Sequence, residues 1–104
     1  MNIQKMMKEA QKMQERLAKA QNDLAGQTVE ASAGGGKVTV TATGAGDITA
    51  IKIAPEVVDP QDVEMLEDLV LSGVREAQDA ARKLQADTMG KVTGGLGGLP
   101  GLGF

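Results

Sequence analysis

The amino-acid sequence predicts an α+β domain with a long N-terminal helix, a three-stranded antiparallel sheet and a C-terminal helical region, in the order α-β-β-β-α. Two helix-length segments carry apolar residues every three or four positions, and the segment between them carries apolar residues at alternate positions. These are the repeats of a helix face and of a strand face. The predicted domain spans residues 1–90, and residues 91–104 are expected to be a flexible Gly/Leu/Pro-rich tail.

The first predicted helix runs from about Asn2 to Ala25, a stretch that lacks Gly and Pro and is rich in strong helix formers. Its apolar residues are spaced alternately three and four positions apart, the a/d pattern of a coiled coil. This seam contains Ile3, Met6, Ala10, Met13, Leu17, Ala20 and Leu24. Gly26 suits the end of the helix.

Three strands are predicted after the first helix. The runs are TVEASA at 28–33, KVTVTAT at 37–43 and ITAIKI at 48–53. Glycine-rich turns separate the runs, which indicates an antiparallel meander with one apolar face. Such a sheet is too small to be stable alone and leaves two open edges, so another element must cover it.

A second helical region follows the strands. Asp59 suits its N-cap, Pro60 its first helical position and Asp62 its first turn. Gly73 in its middle predicts a kink or a boundary between two helices, and Gly90 ends the helical pattern. The tail that follows could dock on another surface through four apolar side chains. These are Leu96, Leu99, Leu102 and Phe104.

The composition limits both stability and location. Aromatic residues make up 1% of the 104 residues, so the core must be built from small aliphatic side chains. A lone chain of this kind is marginally stable, and self-association is expected. There is no Cys, no signal-peptide pattern and no run near the roughly 18 apolar residues of a membrane span. We therefore expect a soluble cytoplasmic protein without a membrane partner.

The basic residues near the start of the chain form a stripe on the first predicted helix. At 100° per residue they fall within an arc of about 80°, centred roughly 130° from the apolar seam. They are Lys5, Lys8, Lys12, Arg16 and Lys19, among 11 basic residues in a chain of net charge -3. A solvated face is the plain alternative. Like-charged neighbours cost about 0.2–0.5 kcal/mol per pair, which a purely structural face has little reason to keep, but Glu9, Glu15 and Asp23 neutralise the stripe in part. The pattern alone leaves phosphate binding and a solvated face both open.

The second helical region adds a weaker cationic signal. Arg75 and Lys83 each lie four positions from Asp79, which predicts ordinary ion pairs along the helix. Arg82 is predicted to be an accessory phosphate contact.

The sequence lacks the side chains that most enzymes use for catalysis. There is no His, Cys or Tyr, which removes the commonest general bases, nucleophiles and metal ligands. The acidic residues between Asp59 and Asp68 lack calcium-loop spacing and are better explained by a capped helix start. The GGGKVT run lacks the spacing of a phosphate-binding loop and suits a hairpin turn. We expect no enzyme activity, no cofactor, no metal site and no small-molecule substrate.

Several stretches together resemble the YbaB/EbfC family of bacterial nucleoid-associated proteins over nearly the whole chain. They are MKEAQKMQE, GGGKVTVTATG, EMLEDLV and the Gly/Leu/Pro-rich tail. The resemblance implies a tweezers-shaped homodimer in which the sheets join the subunits. The first and last helices would then be protruding prongs that engage DNA. The seam of the first helix would pack either on its own copy or on the last helix.

The leading hypothesis is a homodimer of the cytoplasm and nucleoid that binds duplex DNA, organises the chromosome and modulates gene expression. Lysines act as point charges and no aromatic side chains are available to stack on bases, so binding should follow the phosphate backbone with weak sequence selectivity. The alternative is a homodimeric protein-interaction adaptor whose helices and acidic patch at Asp62 to Asp68 clamp a protein partner. An enzyme is the least favoured class.

Overall fold

The computed structural model describes residues 2–94 and confirms the predicted α-β-β-β-α order. The elements are α1 (Ile3–Gly26), β1 (Thr28–Ala33), β2 (Val38–Thr43), β3 (Ile48–Ile53) and α2 (Val63–Gly94). A single 3-10 turn at Pro55–Val57, which the sequence did not predict, connects β3 to α2. Most of the predicted tail, residues 95–104, lies outside the described residues.

The three strands form an antiparallel meander with β2 in the centre. Val38 is paired with Ala33 on one side and with Ile53 on the other, and Val40 is paired with Ile51. Because directly paired residues place their side chains on the same face, these aliphatic residues share one side of the sheet. A register shift at Thr41/Ala42 interrupts the pairing of β2 with β3.

The core lies between α2 and the strands β1 and β2. Val38, Val40, Ala42 and Ala77 are fully buried there. Gly73 allows the close approach, because a Cβ atom at this position would lie 2.9 Å from Cγ2 of Val40. The sequence left a kink or a helix boundary open at Gly73, and the boundary was wrong: α2 is one continuous helix of 32 residues.

Both ends of α2 differ from the sequence prediction. The helix begins at Val63, and its cap is Asp62, whose Oδ1 accepts a hydrogen bond from the Met65 N–H at 3.2 Å. Asp59, the predicted cap, instead accepts from the Gln61 N–H within the preceding turn, at 2.9 Å. The helix also continues through Gly90 to Gly94, since the helical pattern of neighbouring residues outweighs the cost of about 1 kcal/mol for one glycine.

The two long helices are antiparallel. Leu24 of α1 is buried against Gly44, and the Gln85 side chain donates a hydrogen bond to the Gly44 carbonyl at 2.8 Å. Towards the start of α1, Arg16 lies in a shared cleft with Val92. Residues of lower number in α1 therefore lie beside residues of higher number in α2.

Among the described residues, other side chains cover only the C-terminal half of the apolar seam predicted on α1. Ala20 and Leu24 are buried, and Leu17 is half-buried, on the side that meets α2. Ile3 and Met6, at the other end, are 68% and 55% exposed. The sequence analysis left two partners open for the seam, a second copy of α1 or the last helix. The C-terminal half of the seam contacts the last helix, α2.

Substituting Gly73 with Ala should lower the free energy of unfolding. The added Cβ would clash with Val40, and overpacking a core costs about 1–3 kcal/mol, more than the roughly 1 kcal/mol that Ala gains in a helix. Gly90→Ala is the matched control, because nothing lies within 4 Å of a Cβ at Gly90. Urea unfolding should show a lower midpoint for Gly73→Ala and an equal or higher one for Gly90→Ala. If Gly73→Ala and Gly90→Ala stabilised the protein equally, Gly73 would not be in close contact with Val40.

Candidate nucleic-acid interface

The five predicted cations of α1 lie on the surface of one long helix. All are exposed: Lys5, Lys8, Lys12, Arg16 and Lys19. The rise of a helix spreads them over about 21 Å. Between residues 2 and 94 the ion pairs are Lys37–Glu56 and Arg82–Asp79, so no carboxylate holds any of the five. We refer to these five residues as the basic stripe.

Arg82 is exposed on α2 and does not line the cleft that contains Arg16 and Lys19. Its guanidinium donates a hydrogen bond to Asp79 at 2.8 Å, and both side chains are about two-thirds exposed. Asp79 thus pairs with Arg82 instead of the predicted Arg75 or Lys83. An exposed pair of this kind contributes about 0.2–1 kcal/mol, so it reduces the availability of Arg82 only slightly.

A cleft between α1 and α2 gathers cations from both helices. It has a volume of about 590 Å³, and its charged lining residues are Arg16, Lys19, Asp23 and Lys91. Three cations therefore face one carboxylate. Sequence reasoning missed Lys91 because Gly90 was taken as the end of the helix. The sequence signal that could have revealed Lys91 is the apolar spacing of the helix, because Val92 lies two helical turns after Leu84 on the same face.

The acidic residues at the start of α2 lie far from this cleft. Asp62, Glu64 and Asp68 surround a small depression at the start of the helix. The 28 residues from Val63 to Lys91 correspond to about 42 Å along the helix axis. This separation is several Debye lengths at about 0.15 M salt, where the length is about 8 Å. These residues therefore do little to weaken the potential around the basic stripe, whereas Glu9, Glu15 and Asp23 of α1 lie beside the stripe and neutralise it in part.

Two further observations concern other classes of function. Neither α1 nor the described length of α2 has a stretch apolar enough to cross a bilayer. Within residues 2–94 no three acidic side chains are grouped so that they could hold a metal ion.

An αβββα protein with an unpaired basic stripe has the features of a phosphate-backbone binder, and comparison with known proteins identifies the family. The model of the YbaB/EbfC DNA-binding family matches residues 1–96. The chain belongs to this family. DNA is thus the partner class that the family defines, and the family consists of DNA-binding proteins and not of enzymes.

Individual relatives agree with this assignment. Proteins named "Nucleoid-associated protein" from Ruminiclostridium cellulolyticum and Acetivibrio thermocellus are 55% and 56% identical over 97% of this chain, covering 88% and 89% of the relatives. The crystal structure of an uncharacterised Helicobacter pylori protein matches with a TM-score of 0.74. It is 16% identical, and the match covers 84% of this chain and 91% of that one. This last likeness shows the fold alone.

Lys91 provides a test of whether the cleft takes part in DNA binding. Lys91→Glu should weaken binding to duplex DNA, because it removes a cation beside Arg16 and Lys19 and adds a charge that repels phosphate. Lys83→Glu is the matched control, since Lys83 is exposed on the same helix outside the cleft. Fluorescence anisotropy with a labelled duplex measures both affinities. Equal losses for the two variants would show that net charge, and not the cleft, determines binding.

Proposed function

We propose that the protein is a homodimeric nucleoid-associated protein that binds duplex DNA through the basic stripe of α1, with Arg82 as an accessory contact. Binding is weakly selective for sequence, and its role is to organise the chromosome and modulate gene expression. The observation that carries the proposal is the exposed, unpaired state of the five stripe cations. Membership in a DNA-binding family and the names of the relatives support it.

Backbone phosphates are the part of DNA that this surface fits. Four of the five stripe residues are lysines, which act as mobile point charges and not as the fixed forks that read guanine edges. The chain contains one Phe and no Trp or Tyr, so it has no aromatic set for stacking on unpaired bases. The 24 residues of α1 span about 36 Å, close to the roughly 34 Å of one turn of B-DNA.

The homodimer is supported by an apolar groove between β3 and α2. The groove has a volume of about 490 Å³ and is lined largely by Ile53, Leu66, Val70, Leu71 and Val74. These residues continue the face of the sheet that α2 covers over β1 and β2. Contiguous exposed apolar surface of this kind is typical of a protein interface.

A second copy of the chain is the occupant that we propose for the groove. β3 is an edge strand, and its free backbone groups can pair with another strand. Ile51 and Leu71 remain 43% and 47% exposed in one protomer. Pairing at this edge would bury both and enlarge a core whose largest fully buried side chains are valines. The basic stripes of the two protomers would then act together on one duplex.

Salt dependence tests the phosphate mechanism. The dimer carries two basic stripes, and contact of about six cations with phosphates predicts a slope near −5 for log K against log salt concentration. Affinities for random and competitor duplexes between low and moderate salt give this slope. A slope near zero would contradict binding through phosphates.

Charge reversal locates the binding surface. Lys8→Glu with Lys12→Glu should abolish retardation of duplex DNA at moderate salt, because both cations lie in the middle of the stripe. The charge-matched control is Arg75→Glu with Lys83→Glu, two exposed cations of α2 outside the stripe. The salt slope should fall by about 3–4 for the stripe variant, which loses four contacts per dimer. Similar behaviour of both variants would move the site elsewhere.

Disruption of the groove tests the dimer independently of DNA. Leu71→Lys should shift the protein from dimer to monomer, because the interface would have to desolvate an ammonium group, a cost that the one acidic side chain of the groove, Glu67, offsets only in part. Met65→Lys is the control, since Met65 lies on the same helix outside the groove and beside acidic residues. Light scattering after size exclusion measures the mass of each. A Leu71→Lys variant that stays dimeric would place the interface elsewhere.

Nuclease treatment distinguishes the DNA-binding hypothesis from the protein-interaction adaptor. Family membership favours DNA as the partner, so proteins that copurify from a bacterial lysate should be lost when the DNA is digested. A protein that stays bound after digestion would favour the adaptor.

A further inference from the structure

The N-terminal half of α1 carries apolar side chains that the described part of the chain leaves uncovered. Ile3, Met6 and Met7 are 68%, 55% and 59% exposed. Ala10 is also exposed and Met13 is half-buried. We refer to these five residues as the apolar strip. Ile3, Met6, Ala10 and Met13 continue the seam that packs on α2 further along the helix, so they point to the same side as Ala20 and Leu24, and Met7 flanks them.

The end of α2 lies beside the start of this strip. The antiparallel arrangement places Lys91 and Val92 in the cleft with Arg16. Met13 is one helical turn from Arg16 towards the start of α1, and Gly94 is the last residue of α2. The strip from Met13 to Ile3 extends about 15 Å beyond this point. The chain therefore leaves α2 where the cover over the seam of α1 stops.

The segment that follows has the length and chemistry to supply this cover. Residues 95–104 contain Leu96, Leu99, Leu102 and Phe104 and no charged side chain. Ten residues can span up to about 33 Å, twice the length of the strip. A neutral apolar segment matches the exposed methionines, and it avoids the lysines because the stripe lies on another side of the helix.

We propose that the apolar strip of α1 binds residues 95–104 of the same chain. The leucine and phenylalanine side chains lie on Ile3, Met6 and Met7 and complete the seam that α2 covers as far as Arg16. The contact leaves the basic stripe accessible. It braces the end of α1 that extends beyond α2. This interaction requires neither DNA nor a second copy of the chain, so it is independent of the proposed function.

A single tryptophan tests the contact in the full chain. The sequence has no Trp or Tyr, so a Phe104→Trp variant reports on position 104 alone. Its emission should be shifted to shorter wavelength and protected from acrylamide. Adding Met6→Gln should abolish both effects, whereas Met65→Gln, a change at an exposed methionine of α2, should leave them intact. A solvent-exposed tryptophan, or protection that survives Met6→Gln, would overturn the proposal.

Cross-linking identifies which chain supplies the segment. The sequence has no Cys, so Met6→Cys with Leu102→Cys introduces the sole pair of thiols. A short bismaleimide should join them within one chain, which a denaturing gel shows as a monomer of altered mobility. The control pair, Met65→Cys with Leu102→Cys, should remain unlinked. Links between two chains, or equal linking of both pairs, would rule out docking on the strip of the same chain.

Discussion

The close approach of α2 to β2 determines the shape of this protein. Gly73 has no side chain and Ala77 has a small one, so the helix lies directly on Val38 and Val40. Only the middle of the 32-residue helix is needed for this contact. The part beyond about Gln85 extends past the sheet and becomes the support for α1. The sheet contact thus fixes the position of α2, which in turn covers the C-terminal half of α1.

The same arrangement explains how a chain of net charge -3 presents a cationic surface. One group of acidic residues lies where α2 begins, around Asp62, where carboxylates favour the positive end of the helix dipole. The basic residues of α1 collect beside the other end of α2. A long helix between the two groups keeps them several Debye lengths apart. Net charge is therefore a poor guide to what this molecule binds, and the distribution of charge along the helices is the informative quantity.

A core of small aliphatic residues has a second consequence. Few large side chains are buried, and the exposed apolar surface of one protomer includes the groove beside Ile53 and the strip around Met6. Each continues a surface that α2 covers elsewhere. Both therefore have the character of incomplete packing, which a second copy and the last residues of the chain would complete.

The sequence alone determined the order of elements, the strand positions and the location of the basic stripe, because these depend on periodicity, glycine-rich turns and helix geometry, which are local. It misplaced the start of α2, because Asp59 and Asp62 are equally good caps by residue type, and in the structure Asp59 caps the preceding turn while Asp62 caps the helix. It also allowed a helix boundary at Gly73 and placed the end of the helix at Gly90, and α2 continues through both. Whether a glycine breaks a helix or admits a neighbouring valine depends on what lies opposite. The cleft that joins Lys91 to Arg16 was likewise decided by tertiary structure, since residues 75 positions apart meet through helix packing that no local pattern encodes.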